Sequence, residues 1–339
     1  MKSIFLFLLF YFFYCLQAFS QDAQYSQYYN APLFLNPAFT GSADNSRAVF
    51  NYRNQWPGLN RPYRTYSFSI DHLIETANTG LGLIVRKDEQ GASNLSATEL
   101  GLAVSYIVPV TYNLYFIPAL QASWISRNLN YRDLVFGDQI DVDNPSMLEP
   151  SLDILANTNR VSYLDFSAGG LLFTDVLWFG LSLNHLNTPN QSFVNSGSDQ
   201  VPIKATFNLG YKFYLSVPGK NNPERSITPT LLYKTQAKFD QLDIGLYGLY
   251  EPLMLGIWYR GIPIKGSPDK RLNQDAIVLL AGVFYKGMTF SYSYDFTISS
   301  LRKYTGGSHE LSLILEWRVP YKLKRKPKPV PCPKFYNAR

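Results

Sequence analysis

Between residues 288 and 298 the chain changes character at every step: Phe290, Tyr292, Tyr294, Phe296 and Ile298 alternate with Thr289, Ser291, Ser293, Asp295 and Thr297. The same two-residue period sets Leu311, Leu313, Leu315 and Trp317 against Glu310, Ser312 and Glu316, and Leu100, Leu102, Val104 and Tyr106 against Glu99, Gly101, Ala103 and Ser105. Successive side chains of a strand point to opposite faces, so these segments are strands with one apolar and one polar face. Clusters of Gly, Pro, Asn and Asp punctuate them. Fourteen strands are predicted, near 46–56, 63–71, 79–87, 95–107, 112–126, 159–173, 177–187, 202–215, 226–236, 240–250, 253–261, 274–285, 288–298 and 308–318.

Alternation alone fits either a soluble sandwich, whose apolar face is the core, or a membrane barrel, whose apolar face meets lipid. Export and aromatic load favour the barrel. Lys2, the apolar run Ile4 to Leu16 and the small residues of Ala18-Phe19-Ser20 form a signal peptide over 1–20, with the mature chain starting near Gln21. Tyr and Phe together number 48 among 339 residues, and rings such as Tyr106, Trp124, Tyr250 and Trp258 suit the interfacial girdles of an outer-membrane barrel. The fold expected is all-β: a transmembrane antiparallel outer-membrane β-barrel of about 14 strands over 46–318, preceded by a periplasmic or luminal segment, 21–45. If the mature N-terminus is periplasmic, the long connections 127–158, 188–201 and 262–273 face outward, and tight turns such as Thr174-Asp175-Val176, Glu251-Pro252 and Lys286-Gly287 face the periplasm. Both termini then lie on the periplasmic side.

Charge matters mainly at the C-terminus. Of 31 Lys and Arg residues, seven lie in 319–339 and one is Lys2, leaving 23 against 25 acidic residues elsewhere. The tail alternates Lys with Pro and is read as an extended, polyproline-like periplasmic arm. Lys324, Arg325, Lys326, Lys328, Cys332 and Phe335 are its candidate partner-binding residues. Export makes nucleic acid an improbable target for such an arm. A periplasmic or peptidoglycan-linked protein fits better, or an anionic lipid surface.

No catalytic, cofactor or metal site is expected. His72, His185 and His309 are far apart and lack metal-binding spacing. Ser182 and Ser308, beside His residues, are weak candidates for a lipid hydrolase, since Gly180-Leu-Ser-Leu-Asn has no second elbow glycine. Asp138, Asp141, Asp143 and Asn144 offer calcium-type oxygens in the longest loop, though solubility explains them more cheaply. Arg86, Asp165, Asp243 and Asp295 are placed in the lumen, either as internal ion pairs or along a binding or conducting path.

Several blocks then resemble one family. Gln21-Asp-Ala-Gln-Tyr-Ser-Gln-Tyr-Tyr-Asn30, Asn36-Pro-Ala-Phe-Thr-Gly41, Gly180-Leu-Ser-Leu-Asn-His-Leu-Asn-Thr-Pro-Asn190 and Leu255-Gly-Ile-Trp-Tyr-Arg-Gly261 are similar to recurring blocks of the PorP/SprF outer-membrane proteins of Bacteroidota. So are Ser293-Tyr-Asp-Phe-Thr-Ile-Ser-Ser-Leu301, Gly306-Gly-Ser-His-Glu-Leu-Ser-Leu313 and Cys332-Pro-Lys-Phe335. The resemblance implies a non-enzymatic barrel of the type IX secretion and gliding motility machinery. It implies partners among the secretion components and a large secreted adhesin or other exported client that the barrel anchors or escorts. A general outer-membrane porin or transport channel is the competing reading.

Overall fold

A computed structural model describes residues 22–43, 46–91, 95–130, 159–194, 197–216, 223–266, 272–299 and 302–317. The strands run β1 (Ser46–Gln55), β2 (Tyr63–Ile74), β3 (Thr79–Gln90), β4 (Leu95–Tyr106), β5 (Val108–Pro109), β6 (Tyr115–Leu129), β7 (Arg160–Phe173) and β8 (Leu177–Asn184). They continue with β9 (Lys204–Tyr211), β10 (Phe213–Ser216), β11 (Arg225–Gln236), β12 (Phe239–Tyr250), β13 (Leu253–Gly266), β14 (Leu272–Tyr285), β15 (Met288–Thr297) and β16 (Ser308–Trp317). The short β5 and β10 prolong β4 and β9 past single breaks at Ile107 and Lys212. The wall is therefore a closed barrel of 14 antiparallel strands, as the alternation predicts. Closure is made by β1 on β16, in continuous register from Ser46 opposite Trp317 to Gln55 opposite Ser308. In hydrocarbon an open edge would strand its amides without partners at several kcal/mol each, which is why a lipid-facing sheet must close.

The apolar face points outward. Leu102 is 64% exposed and Leu120 68%, whereas Ser291 and Ser293 are fully buried. This inverts the distribution of a water-soluble protein, whose core takes the leucines. Tyr106, Trp124 and Tyr250 lie on the outer surface as girdle residues should. Trp258 does not, and the expectation for it is corrected: it is buried inside the barrel at 1% exposure. On β13 the two-residue period turns Leu253, Leu255 and Ile257 outward, so Met254, Trp258 and Arg260 turn inward. Residue type suggested an interfacial ring, and strand parity overrode it.

The longest connections share one end. One end of the wall carries mostly tight turns, Glu75–Asn78, Glu251-Pro252 and Lys286-Gly287 among them, with one longer link after Ser216, together with both wall ends, Ser46 and Trp317. The opposite end carries the long links 130–159 and 185–203, and also the two-residue turn Ala237-Lys238. The long connection expected at 262–273 is corrected: β13 continues to Gly266 and β14 starts at Leu272, so strand takes up most of it. Heating should accordingly be needed to unfold the barrel in dodecyl sulfate: an unboiled sample should migrate faster than a boiled one, and solubility should require detergent. A protein that stays folded and monomeric in plain buffer would contradict the lipid-facing wall.

Candidate functional site

The lumen is filled by the chain's own N-terminal segment. Residues 22–43 traverse it from the loop-bearing end, where Asp22 contacts His185 and Lys204, to the opposite end, where Gly41 meets Asp71 shortly before β1 begins. The two ends of the wall, Ser46 and Trp317, share one rim, while Asp22, the first described residue, lies at the other, beside His185 and Lys204. Asp22 and Trp317 stand at opposite rims, because the segment spends its length crossing the lumen.

Its sequence suits a compact plug. A 3-10 turn at Tyr28–Asn30 leads into one helical turn, Pro32–Leu35, and a second 3-10 turn, Pro37–Phe39. Each of the latter two starts on a proline, whose fixed φ and missing N–H suit a first helical position. Asn36 caps the last turn by accepting from the Ala38 N–H at 2.9 Å, and its amide nitrogen donates to the carbonyls of Gly170 and Leu181. One side chain thus ends a turn and staples it to β7 and β8.

The middle of the plug is apolar. Tyr28, Tyr29, Leu35 and Phe39 pack among Trp178, Tyr247, Trp258, Leu171 and Phe173 from the wall. Tyr29 lies edge-on to Trp178 at 5.7 Å and accepts its indole N–H at 3.2 Å, while Tyr28 lies edge-on to Trp258 at 5.9 Å. Such pairs add roughly 0.5–1.5 kcal/mol beyond area burial. The wall has made room for the backbone: an ideal Cβ built on Gly80 would collide with the carbonyl oxygen of Thr40, and one on Gly41, at φ +67°, would lie 2.6 Å from Gly80 Cα.

Polar anchors hold the segment along its length. At the lower end the Arg47 guanidinium reaches Asp71 at 2.9 Å and the Phe39 carbonyl at 3.0 Å, while the Gly41 N–H donates to Asp71. Nearer the loops, Arg53 bridges Asp295 at 2.8 Å and Glu310 at 3.0 Å and donates to Ser26 Oγ at 2.7 Å. Arg260 joins the same cluster through Asp295, Asp243 and Ser26 Oγ. The Glu310 carboxylate also accepts from the backbone N–H groups of Ser26 and Gln27. A buried charge is tolerable only when paired and hydrogen-bonded, and the plug completes that pairing.

The uppermost anchor is a latch. His185 lies 3.0 Å from Asp22 and 2.9 Å from Asp165, and Lys204 lies 2.5 Å from Asp22. Burial works against the charged imidazole, but Asp22 and the hydrogen bonds to Asp165 and Asp22 outweigh it and raise the His185 pKa to about 9. Burial likewise works against the Asp22 carboxylate, and Lys204 and His185 outweigh it, holding its pKa well below the usual carboxylate range. A raised histidine stabilises fully below its unfolded pKa and loses that contribution as pH climbs through the folded one; a depressed carboxylate loses its contribution as pH falls. The latch should hold at neutral pH and loosen above about pH 9. A spin label on Ala23→Cys, in a chain also carrying Cys332→Ser, should gain mobility above that pH. His185→Gln should abolish the step, and a label indifferent to pH would refute the latch.

Above Tyr25 and Phe34 the lumen widens into a cavity of about 810 Å³ at the loop-bearing end. Arg86, Asp165, Asp243 and Asp295, placed in the lumen from sequence, all face inward and are all paired: Arg86 with Glu99 at 2.7 Å, Asp165 with His185, Asp243 with Arg260, and Asp295 with Arg53 and Arg260. Lys324, Arg325, Lys326, Lys328, Cys332 and Phe335 lie outside the described residues, as do the signal peptide expected over 1–20 and Asp138, Asp141, Asp143 and Asn144. The sequence leaves open whether 21–45 is periplasmic or luminal, and it does not by itself single out Ser26, Gln27, Arg53 or Glu310. The available signal was Glu310, an acid on the polar face of a lipid-exposed strand, which calls for an internal cation.

The family model described as type IX secretion system membrane protein PorP/SprF matches residues 17–315. No curated protein matches the chain. Among solved structures, the P. putida toluene transporter TodX is 12% identical, with 86% of this chain and 95% of that one covered and a TM-score of 0.49. The Ralstonia pickettii toluene transporter TbuX is 11% identical over 84% and 92%, with a TM-score of 0.45. A triple mutant of the Rhodopseudomonas blastica porin is 11% identical over 80% and 99%, with a TM-score of 0.34.

Proposed function

This chain belongs to the PorP/SprF family of type IX secretion system membrane proteins, and we propose that it serves that apparatus as a sealed docking barrel in the outer membrane and not as a channel. The supporting observation is the plug: residues 22–43 occupy the lumen and spend its charged side chains on internal pairs. A porin needs a continuous aqueous path lined by groups free to meet solute. Here Trp178, Trp258, Tyr28 and Tyr29 pack across that path.

In this reading the barrel anchors or escorts a large exported adhesin, or another client, at its loop-bearing end. Loops on a rigid scaffold are the usual carriers of recognition. Replacing 127–158 should release the client from the cell surface while leaving heat-modifiable migration intact; unchanged retention would count against the assignment. The basic tail, with Lys324, Arg325, Lys326, Lys328, Cys332 and Phe335, reaches a periplasmic or peptidoglycan-linked component, since a polyproline-like arm is ordered at low entropic cost. Removing 322–339 should leave insertion unchanged and cut secretion or gliding severely. Full secretion by the truncated chain would eliminate the tail as a contact.

A further inference from the structure

In one sector the outer surface of the wall grades from apolar to cationic towards the loops. Register places Leu313, Phe50, Phe68 and Val85 side by side on β16, β1, β2 and β3. The next row towards the loops is Leu311, Tyr52, Tyr66 and Lys87, and the row beyond it is His309, Asn54, Arg64 and Glu89. The first two rows, joined by Phe290 of β15, line a groove of about 420 Å³ on the lipid-facing surface. Phe50 and Phe68 lie 4.6 Å apart between ring centres, and Tyr52 and Tyr66 5.1 Å, so these rings brace one another across β1 and β2.

The same sector carries a surplus of positive charge. Lys87 touches Glu89 at 2.7 Å with 53% of its side chain still exposed, and Arg64, also exposed, stands opposite Glu89 in register. The other acids of these strands near this end, Asp88 and Glu310, turn inward and are held by Thr65 and Arg53. Among the described residues, two cations therefore share one carboxylate on this outer face. A lysine facing lipid costs about 2–4 kcal/mol at the bilayer midplane and about 0–1 kcal/mol near the interface, so Lys87 belongs at headgroup level, where tyrosine rings also settle.

We infer that this sector is a binding site for lipid A, with a phosphate held between Lys87 and Arg64 and an acyl chain laid in the groove beneath. Three features select that ligand. A groove on a lipid-facing wall is filled by hydrocarbon chains, and its apolar row lies next to the cations, as chains lie next to a headgroup. Paired cations select a phosphate, and a phosphomonoester, with nearly two charges, suits them better than the singly charged phosphodiester of a glycerophospholipid. The site lies at the loop-bearing end, and with those loops outward, as in the docking-barrel reading, it borders the leaflet built of lipid A. The inference takes only that orientation from the docking-barrel reading.

The test uses the full chain, delipidated by detergent exchange and mixed with equal amounts of lipid A, phosphatidylglycerol and phosphatidylethanolamine; bound lipid is counted by native mass spectrometry. Lipid A should be retained roughly tenfold over phosphatidylglycerol, the discrimination expected of one more charge-assisted hydrogen bond. Lys87→Gln and Arg64→Gln, both at exposed positions, should keep heat-modifiable migration and each lose most of that preference. Arg160→Gln, an exposed cation at the same end on β7, should keep it. Deacylated lipid A sugar phosphate in excess should leave the bound lipid in place. Equal retention of lipid A and phosphatidylglycerol, no retention of either, an unchanged preference in Lys87→Gln and Arg64→Gln, or an equal loss in Arg160→Gln would each overturn the inference. So would displacement by the deacylated sugar, which would reduce the site to a bare anion contact. Client release on replacing 127–158, alongside a negative lipid result, would sink this inference and leave the docking barrel standing.

Discussion

Deletion of residues 22–43 is expected to convert a barrel with no discrete conductance in planar bilayers into one that opens porin-like steps. The wall has 14 strands, and its inner face carries Ser, Thr, Asn and paired charges at most positions, so removal of the segment leaves a polar-lined bore. Water and ions enter such a bore freely. Trp178, Trp258 and Tyr247 would lose their packing partners, and insertion efficiency should fall; the measurement is therefore made on the heat-modifiable fraction. A second variant keeps every plug residue. Gly80→Val drives a side chain into the Thr40 carbonyl, which is backbone and has little room to yield. It should loosen the lower end of the plug and give intermittent conductance. A silent bilayer with both variants, each shown to be folded, would mean that something other than this segment closes the lumen.

The second large effect is expected at Arg53. Its guanidinium is 2% exposed as a residue and holds together two carboxylates and the Ser26 hydroxyl. Truncation to alanine leaves Asp295 with Arg260 and Glu310 with no ion pair among the described residues, and breaking a buried pair in this way costs about 3–5 kcal/mol. Arg53→Ala should lower the urea midpoint of the unboiled form accordingly. Arg53→Lys should fall between, because a point charge cannot bridge two acceptors as a planar fork does. Adding Glu310→Gln to Arg53→Ala should recover part of the loss. A change under about 1 kcal/mol for Arg53→Ala would show that the cluster is water-filled and not a structural knot.

The wall was legible because its determinants are local. Phe290 to Thr297 alternate within a single strand, and Glu251-Pro252 and Lys286-Gly287 mark turns with two residues each, so strand number and the sorting of connections follow from short windows of sequence. The seal is different in kind. Its turns at Tyr28–Asn30, Pro32–Leu35 and Pro37–Phe39 are too short to show periodicity, and Ser26 finds Asp295 and Glu310 more than 260 positions away. A pairing at that separation leaves a trace only as unexplained charge on a polar face, as at Asp295. Trp258 marks the opposite error, a residue assigned by its chemical type when its neighbours Leu255 and Ile257 already fixed which way it turned.

The threading of the N-terminal segment also constrains how the molecule is assembled. Residues 22–43 run directly into β1, and β1 completes the cylinder against β16, the last strand in sequence. A cylinder that closed first would have to swallow some twenty residues bearing Tyr28, Tyr29, Leu33 and Phe39 through a rim. The sheet is therefore expected to curl around an occupant already in place, with the seam between first and last strands zipping last. Ser26, Asp295 and Glu310 come together beside that seam, so on this order the occupant would serve as a mandrel to which the last hairpin brings its carboxylates.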